Sequence, residues 1–418
     1  SARARCHGPA LRPGNSPGVI NIVGNLTLTA GSATPITDGF SGNSGGLLHI
    51  EIAGTGAAGA ANGHDQVAVS GNVSLSGTLK VALLDGFTPQ VGDTFEVLTF
   101  SSSTGDFLKY ENLAIGNNLY FKPTLSNNKL TLTVATAAGS TITQPLFFIP
   151  GFGGTFAADE SPAGLQEYYL TRGIHPDKLA LEPLTHAYSD LIQSFVNLGY
   201  TPDLNLFVVK WDWRVPVALT DGTSDGSLNA ATGSITNSTF ESGLDYLGYY
   251  LNKAGEIWQQ LTNTALTMVD MVTHSTGGLV SRAYIQSTAY PTNPPASAAG
   301  ELPAVRNLVQ VGVPNQGVST TFGMLENDFS LKSATRALAR QLDVTWDLIS
   351  QKDSGGNYVN GLRNPDGTTT YRSVFDAQSN PEAAFVAYYV GALGALLPAY
   401  NSAISFDGGT TFTALTNA

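Results

Sequence analysis

Cysteine occurs once in the 418 residues, at Cys6, which excludes an internal disulfide framework and any metal site built on cysteine. Charge is sparse: Asp, Glu, Lys and Arg make up 12% of the chain, with 20 basic residues against 32 acidic ones and a formal net charge of −12. No stretch concentrates enough positive charge for nucleic acid, and the acidic balance argues against an anionic membrane surface. No apolar run reaches the roughly 20 residues that a membrane-spanning helix needs. The longest candidate, Ala383 to Leu397, is broken by glycines and ends at Pro398. Neither an initiator methionine nor a signal peptide precedes Ser1, so a processed protein or a piece of a longer one is expected. No nucleotide, flavin or metal motif is present, and no cofactor is implied.

What the chain does have is glycine, 46 in all, and two textures. Residues 1–12 show no pattern and read as disordered or as the end of a fragment. From Pro13 onward, apolar and polar residues alternate with period two between Gly-Asn turns, as in Val19 to Thr29 and Gly71 to Val81. Further strands are expected at Leu47–Ile52, Gln66–Val69, Thr94–Phe100, Asn118–Pro123 and Lys129–Val134. Residues 13–134 therefore read as an all-β roll or solenoid-like module. Asp65, Asp85 and Asp93 lack the tandem repeats of calcium-binding rolls. Small polar residues 135–143 (ATAAGSTIT) read as a linker.

From Gln144 the pattern changes to α/β. Pro145 to Ile149 is an apolar strand running into a glycine-rich turn, Pro150 to Gly154. Helices are expected at Ala187 to Leu198 and, with Phe240, Leu244, Leu247, Leu251 and Trp258 on one face, over about five turns further on. Leu204 to Trp213 and Val305 to Pro314 read as strands, the latter as a buried one. Leu219 to Ser238 reads as a mobile loop, and Asp353 to Thr370 as a structureless break in a helical segment.

The centre of the chain is Leu266 to Arg282. An apolar strand meets His274-Ser275-Thr276-Gly277-Gly278, and an apolar-faced helix follows. A serine on a tight strand-to-helix turn has its hydroxyl pushed clear of the backbone, and the residues two before and two after it must be small. Gly277 meets that demand; Thr273 meets it partly. Backbone N–H groups in the upstream glycine turn can face a developing oxyanion without side chains in the way.

PGFGG at Pro150, WDWR at Trp211 to Arg214, HSTGGLVSR at His274 to Arg282, GVPNQG at Gly312 to Gly317 and LLPAY at Leu396 to Tyr400 resemble the lecithin:cholesterol acyltransferase-like lipases and acyltransferases. The resemblance covers roughly two-thirds of the 418 residues, from Gln144 on. It implies an α/β-hydrolase fold for residues 144–418: a mostly parallel sheet with flanking helices and a lid insertion near 318–397. It implies a carboxylic ester substrate such as a lipid, with hydrolysis or acyl transfer through an acyl-enzyme. Ser275 would be the nucleophile, and the Phe152 and Thr276 backbone N–H groups the oxyanion hole. The β module, with its PGNSPG run at Pro13 to Gly18, resembles repeat segments of bacterial surface and autotransporter-type proteins. That implies a cell-surface or extracellular location, with the module as an attachment device or a purely structural domain.

Asp212 and Arg214 read as a structural pair at a strand end, with electrostatics at the substrate mouth as the other reading. His274 reads as a packing residue. In this fold the triad runs serine, acid, histidine along the chain, yet the histidines are His7, His49, His64, His175, His186 and His274, none after Ser275. The acid and the histidine are thus not present, and none of the later aspartates is assigned. Three explanations stand: a sheet truncated at its C-terminus in a serine esterase, a degenerate hydrolase acting as a surface or binding protein, or a displaced base at His186 or His175. The 418 residues alone are expected to be inactive or nearly so.

Overall fold

The computed structural model describes residues 10–14, 17–28, 43–44, 46–136 except 76, 108 and 127, 144–181 except 160, 187–218, 239–291, 302–327, 333–398, 404–405 and 412–413. The chain winds first through β1 (Ala10–Leu11), β2 (Val19–Ile22), β3 (Leu26–Leu28), β4 (Asn43–Ser44) and β5 (Leu47–Ile52). A second turn gives β6 (Gln66–Val69), β7 (Asn72–Leu75) and β8 (Thr78–Leu83), and a third gives β9 (Thr94–Thr99), β10 (Ser102–Gly105) and β11 (Lys109–Glu111). Equivalent strands stack in parallel, β2-β6-β9, β3-β7-β10 and β5-β8-β11, so each turn of chain forms one rung of a three-faced coil.

The period-two alternation turns one side chain of each pair inward, where rung stacks on rung. Leu11, Leu48, Leu79 and Tyr110 follow one another down one face, all buried. Corners between faces need residues without side chains: a Cβ on Gly77 would lie 2.1 Å from the Gly46 carbonyl oxygen of the rung below. Gly71 to Val81 accordingly carries two strands, β7 and the start of β8, around a corner. The coil ends in β12 (Ala114–Gly116), β13 (Leu119–Ser126) and β14 (Lys129–Thr136), with β14 antiparallel to β9, which covers the last rung.

Two boundaries differ from expectation. Ala10 and Leu11 are not patternless but pair with Leu47 and Leu48. Ala135 and Thr136 belong to β14 rather than to a linker, because the antiparallel ladder supplies the partners that sequence alone did not show. Residues 137–143 and 219–238 lie outside the described residues.

The second region has mixed α/β architecture. Strands β15 (Leu146–Ile149), β18 (Leu206–Val208), β19 (Met268–His274) and β20 (Ala304–Val311) form a parallel sheet in the order β18-β15-β19-β20. Between β15 and β18, β16 (Thr155–Ala157) and β17 (Leu179–Leu181) form a small antiparallel pair. Helices α1 (Pro162–Leu170) and α2 (Ala187–Asn197) precede β18; α3 (Gly243–Thr262) and α4 (Gly277–Gln286) flank β19 in sequence. Phe147, Val269 and Met271 pack with Leu247, Leu251 and Val280 on one face, while Phe148 and Leu206 pack with Ile192 of α2 on the other.

The β module is docked on this region. Leu204 and Leu261 are buried in the module's core, the Asn118 N–H donates to the Gln260 carbonyl at 3.3 Å, and Lys109 lies 3.2 Å from Asp177.

Two expected strands are corrected. Leu204 to Trp213 contributes regular strand only at Leu206–Val208, after which the indoles of Trp211 and Trp213 turn into the core and hydrogen-bond there. Val305 to Pro314 is not buried: it forms the sheet edge, with Val309 and Val311 52% and 50% exposed. β19 lies on one flank, and among the described residues no strand pairs with the other.

After β20 come α5 (Thr320–Leu325), α6 (Ser333–Ile349), β21 (Gly361–Arg363), β22 (Thr369–Tyr371), α7 (Ser373–Asp376), α8 (Pro381–Tyr389) and a 3₁₀ turn, Gly391–Leu396. The break expected at 353–370 is ordered. Asp353 accepts the Gly355 and Asn357 N–H groups at 2.8 and 2.9 Å, and β21 and β22 form a hairpin. The segment returns to its start, with the Val318 N–H donating to the Leu396 carbonyl at 2.7 Å. β23 (Ile404–Ser405) and β24 (Phe412–Thr413) pair antiparallel beyond it. Among the described residues no helix is long and apolar enough to cross a membrane.

Candidate active site

Strand β19 alternates buried and half-buried residues up to Thr273, which is fully buried and donates its hydroxyl to the Val309 carbonyl at 3.3 Å. Ser275 follows with φ of 51°, a left-handed conformation that a serine adopts only where the surroundings enforce it. The enforcement is visible. Its N–H donates to the Val311 carbonyl at 2.9 Å, and its carbonyl accepts the Gly278 N–H at 3.0 Å as α4 begins. A Cβ on Gly277 would stand 2.3 Å from the Ile149 carbonyl oxygen, so only glycine lets α4 start so close to the end of β15.

The glycine turn after β15 lies against the serine. A Cβ on Gly151 would be 2.7 Å from that of Ser275 and 3.0 Å from the His274 carbonyl. Three contacts hold the turn. The Gly154 N–H donates to the Gly151 carbonyl at 2.9 Å, the Gly151 N–H to Tyr188 Oη at 3.1 Å, and Trp211 Nε1 to the Pro150 carbonyl at 2.9 Å. Tyr188 Oη is also 2.7 Å from His274 Nδ1. One phenol from α2 thereby links the glycine turn to the residue before the serine. Burial lowers the His274 pKa below its ordinary 6.5, so the ring is neutral at pH 7. Sequence gave no sign of Tyr188, because its role depends on where α2 packs rather than on a local pattern.

Ser275 lines a pocket of about 250 Å³ together with Phe152, Thr276, Val318, Met324 and Leu396. The Phe152 and Thr276 N–H groups donate to no protein acceptor among the described residues, whereas the N–H groups of Gly151, Gly154 and Ser275 are all engaged. Ser275 Oγ likewise has no partner among the described residues. The three residues singled out from sequence, Ser275, Phe152 and Thr276, are therefore brought to one cavity.

The WDWR segment stands behind this wall. Asp212 and Arg214 are both buried, with Arg214 Nε 2.7 Å and Nη2 2.8 Å from the carboxylate. Asp212 also accepts the Gly173 N–H at 2.9 Å, and the guanidinium lies 3.8 Å from the centre of the Tyr168 ring. With no exposure, the pair cannot act on charge at a pocket mouth; it ties Gly173, Tyr168 and Tyr389 together. The adjoining Trp213 ring, 4.8 Å from that of Phe152, backs the pocket.

No described histidine reaches Ser275. His175 caps a 3₁₀ turn, accepting the Asp177 N–H at 3.2 Å, with its ring against Phe240 and Tyr249. His49 and His64 are buried in the β module, and His7 and His186 lie outside the described residues. Among the later aspartates, Asp353 and Asp366 cap turns, and Asp376 pairs with Arg372 at 3.2 Å. No group of three or more His, Cys, Asp or Glu is placed to hold a metal ion among the described residues. A comparison with protein-family models and with curated proteins finds no match to the chain.

Proposed function

We propose that the chain carries the nucleophilic serine of a carboxylic ester hydrolase or acyltransferase of α/β-hydrolase fold. The observation that carries this reading is the left-handed Ser275 at the end of β19, in one cavity with two residues whose N–H groups are unengaged. The parallel order β18-β15-β19-β20, with a glycine turn after β15, supports the fold. Ser275 Oγ attacks the ester carbonyl, its proton leaves to a base, and the Phe152 and Thr276 N–H groups hold the oxyanion. The alcohol departs with that proton and leaves an acyl-enzyme, which water hydrolyses or a second alcohol takes over. Segment 318–397 serves as the lid. The substrate is a lipid-like ester, and the β module serves attachment outside the cell or at its surface.

The test is labelling of the 418-residue chain by a fluorophosphonate, followed by intact mass. Without a base the reaction takes hours and is abolished in Ser275→Ala. Labelling within minutes would show a base already in place. Labelling that survives Ser275→Ala would remove the serine from the mechanism and favour the reading of a degenerate, binding-only domain.

A further inference from the structure

The Phe152 N–H can serve an oxyanion only if the glycine turn presents it toward Ser275, and two successive peptide planes set that direction. In a trans peptide the C=O and N–H point opposite ways, so a bond at one end fixes the other. The plane between Gly151 and Phe152 is held at its oxygen, where the Gly151 carbonyl accepts the Gly154 N–H at 2.9 Å; its N–H end is unengaged among the described residues. The plane between Pro150 and Gly151 is held at both ends. Trp211 Nε1 donates to the Pro150 carbonyl at 2.9 Å, and the Gly151 N–H donates to Tyr188 Oη at 3.1 Å. Glycine has no Cβ to bar a flipped plane, so these bonds do the fixing.

The tyrosine is itself anchored. Its ring lies 5.2 Å from that of Phe148 in β15, and a Cβ on Gly154 would be 2.9 Å from its Cε2. Tyr188 Oη is 2.7 Å from His274 Nδ1, a separation typical of a hydroxyl donating rather than of an N–H. One oxygen thus accepts from the glycine turn and donates to the residue before Ser275.

We propose that Tyr188 is a positioning residue: its hydroxyl locks the Pro150–Gly151 peptide to the end of β19 and so aims the Phe152 N–H at the oxyanion formed on Ser275. The proposal rests on the serine ester hydrolase reading, since that reading gives the Phe152 N–H its task. It assigns His274 as well. With Nδ1 spent as the acceptor of the phenol, that nitrogen takes no proton from the adjacent serine.

The experiment compares the 418-residue chain with two variants. Tyr188→Phe keeps the ring and removes only the oxygen. Ile192→Val loosens the buried face of α2 against Phe148 without touching that oxygen. Initial rates of Ser275 labelling by a fluorescent fluorophosphonate should fall at least about tenfold in Tyr188→Phe, toward the roughly 10²–10³ that loss of one oxyanion donor costs. They should stay at the parent level in Ile192→Val, with thermal midpoints confirming that both variants fold. The ¹⁵N resonance of His274 Nδ1, assigned by its absence from His274→Gln, should move in Tyr188→Phe and stay in Ile192→Val, which a role confined to helix packing would not produce. Parent-rate labelling in Tyr188→Phe, an equal loss in Ile192→Val, or an unmoved Nδ1 resonance overturns the proposal. Faster labelling in Tyr188→Phe overturns it too, by showing that the phenol had restrained His274 as a base. A Ser275 that takes no label in the parent, with an Nδ1 resonance that moves as expected, refutes the serine reading alone.

Discussion

Replacing Asp212 by alanine should be among the most damaging single changes in the chain, and its size follows from the structure. Asp212 accepts from Arg214 Nε at 2.7 Å, Arg214 Nη2 at 2.8 Å, the Arg214 N–H at 3.1 Å and the Gly173 N–H at 2.9 Å. Neither side chain of the pair is exposed. The carboxylate holds the guanidinium charged against the pull of burial. Asp212→Ala would strand that charge in the core, a loss of about 3–5 kcal/mol for breaking a buried pair from one side. At roughly 2–4 °C per kcal/mol for a domain of this size, the midpoint should fall on the order of 10 °C. Trp211 and Trp213 flank the site and are buried, so their fluorescence reports the transition directly. Removing both charges, in Asp212→Leu with Arg214→Met, should recover only part of the loss: no unpaired ion remains, but the Gly173 N–H loses its acceptor. Asp212→Ala within about 0.5 kcal/mol of the parent would refute the reasoning, as that is the ordinary range for an indifferent surface change. The effect should reach the pocket as well, since the Arg214 carbonyl accepts the Gly391 N–H at 2.8 Å just before Leu396.

Three further outcomes are expected. Buried Asp65 accepts the Gly18 and Glu51 N–H groups at 2.6 and 2.9 Å, and desolvation raises its pKa from 3.8 to about 6. The folded module thus binds a proton that the unfolded chain releases between these values, so this contribution to stability grows as pH falls through 6. The gain approaches about 3 kcal/mol below pH 4. His49 and His64, lowered by burial, act with the opposite sign below pH 6.5, so the difference in urea midpoint between the parent and Asp65→Asn isolates the term. A pH-independent difference would show that Asp65 is not the group. Gly151→Ala should slow Ser275 labelling about 100-fold and lower the thermal midpoint, because the new methyl must push aside the Ser275 Cβ and the His274 carbonyl; unchanged labelling would contradict the contact. Lysine at both Val309 and Val311 should reduce self-association of the chain in light scattering, since charge blocks strand pairing at an edge that no strand covers among the described residues; undiminished association would place the sticky surface elsewhere.

Much of the fold was legible where the sequence carries a period. The module's strands at Leu47–Ile52 and Gln66–Val69 follow from alternation alone, and α3 from its apolar stripe between Leu244 and Trp258. Ser275 stands where small residues at fixed spacing leave a local mark, Phe152 and Thr276 follow from the family resemblance, and the three share one pocket. What escaped depends on distant partners. β1 exists because Leu48 lies beside Leu11, and β20 looked buried because its composition is apolar, although one flank is bare among the described residues. Tyr188 joins Gly151 to His274 across 37 and 86 residues of sequence, a link without local signature. Helix α1 was missed despite a readable start: Ser161 accepts the Gly164 N–H at 3.1 Å, with Pro162 next to it.

The most direct measurement of the central claim is ester hydrolysis by the polypeptide translated through its whole reading frame, compared with its Ser275→Ala variant, on a straight-chain nitrophenyl ester. The account predicts turnover that falls at least about a thousandfold on loss of the nucleophile. Turnover unaffected by the substitution, or none at all in the full product, would contradict it.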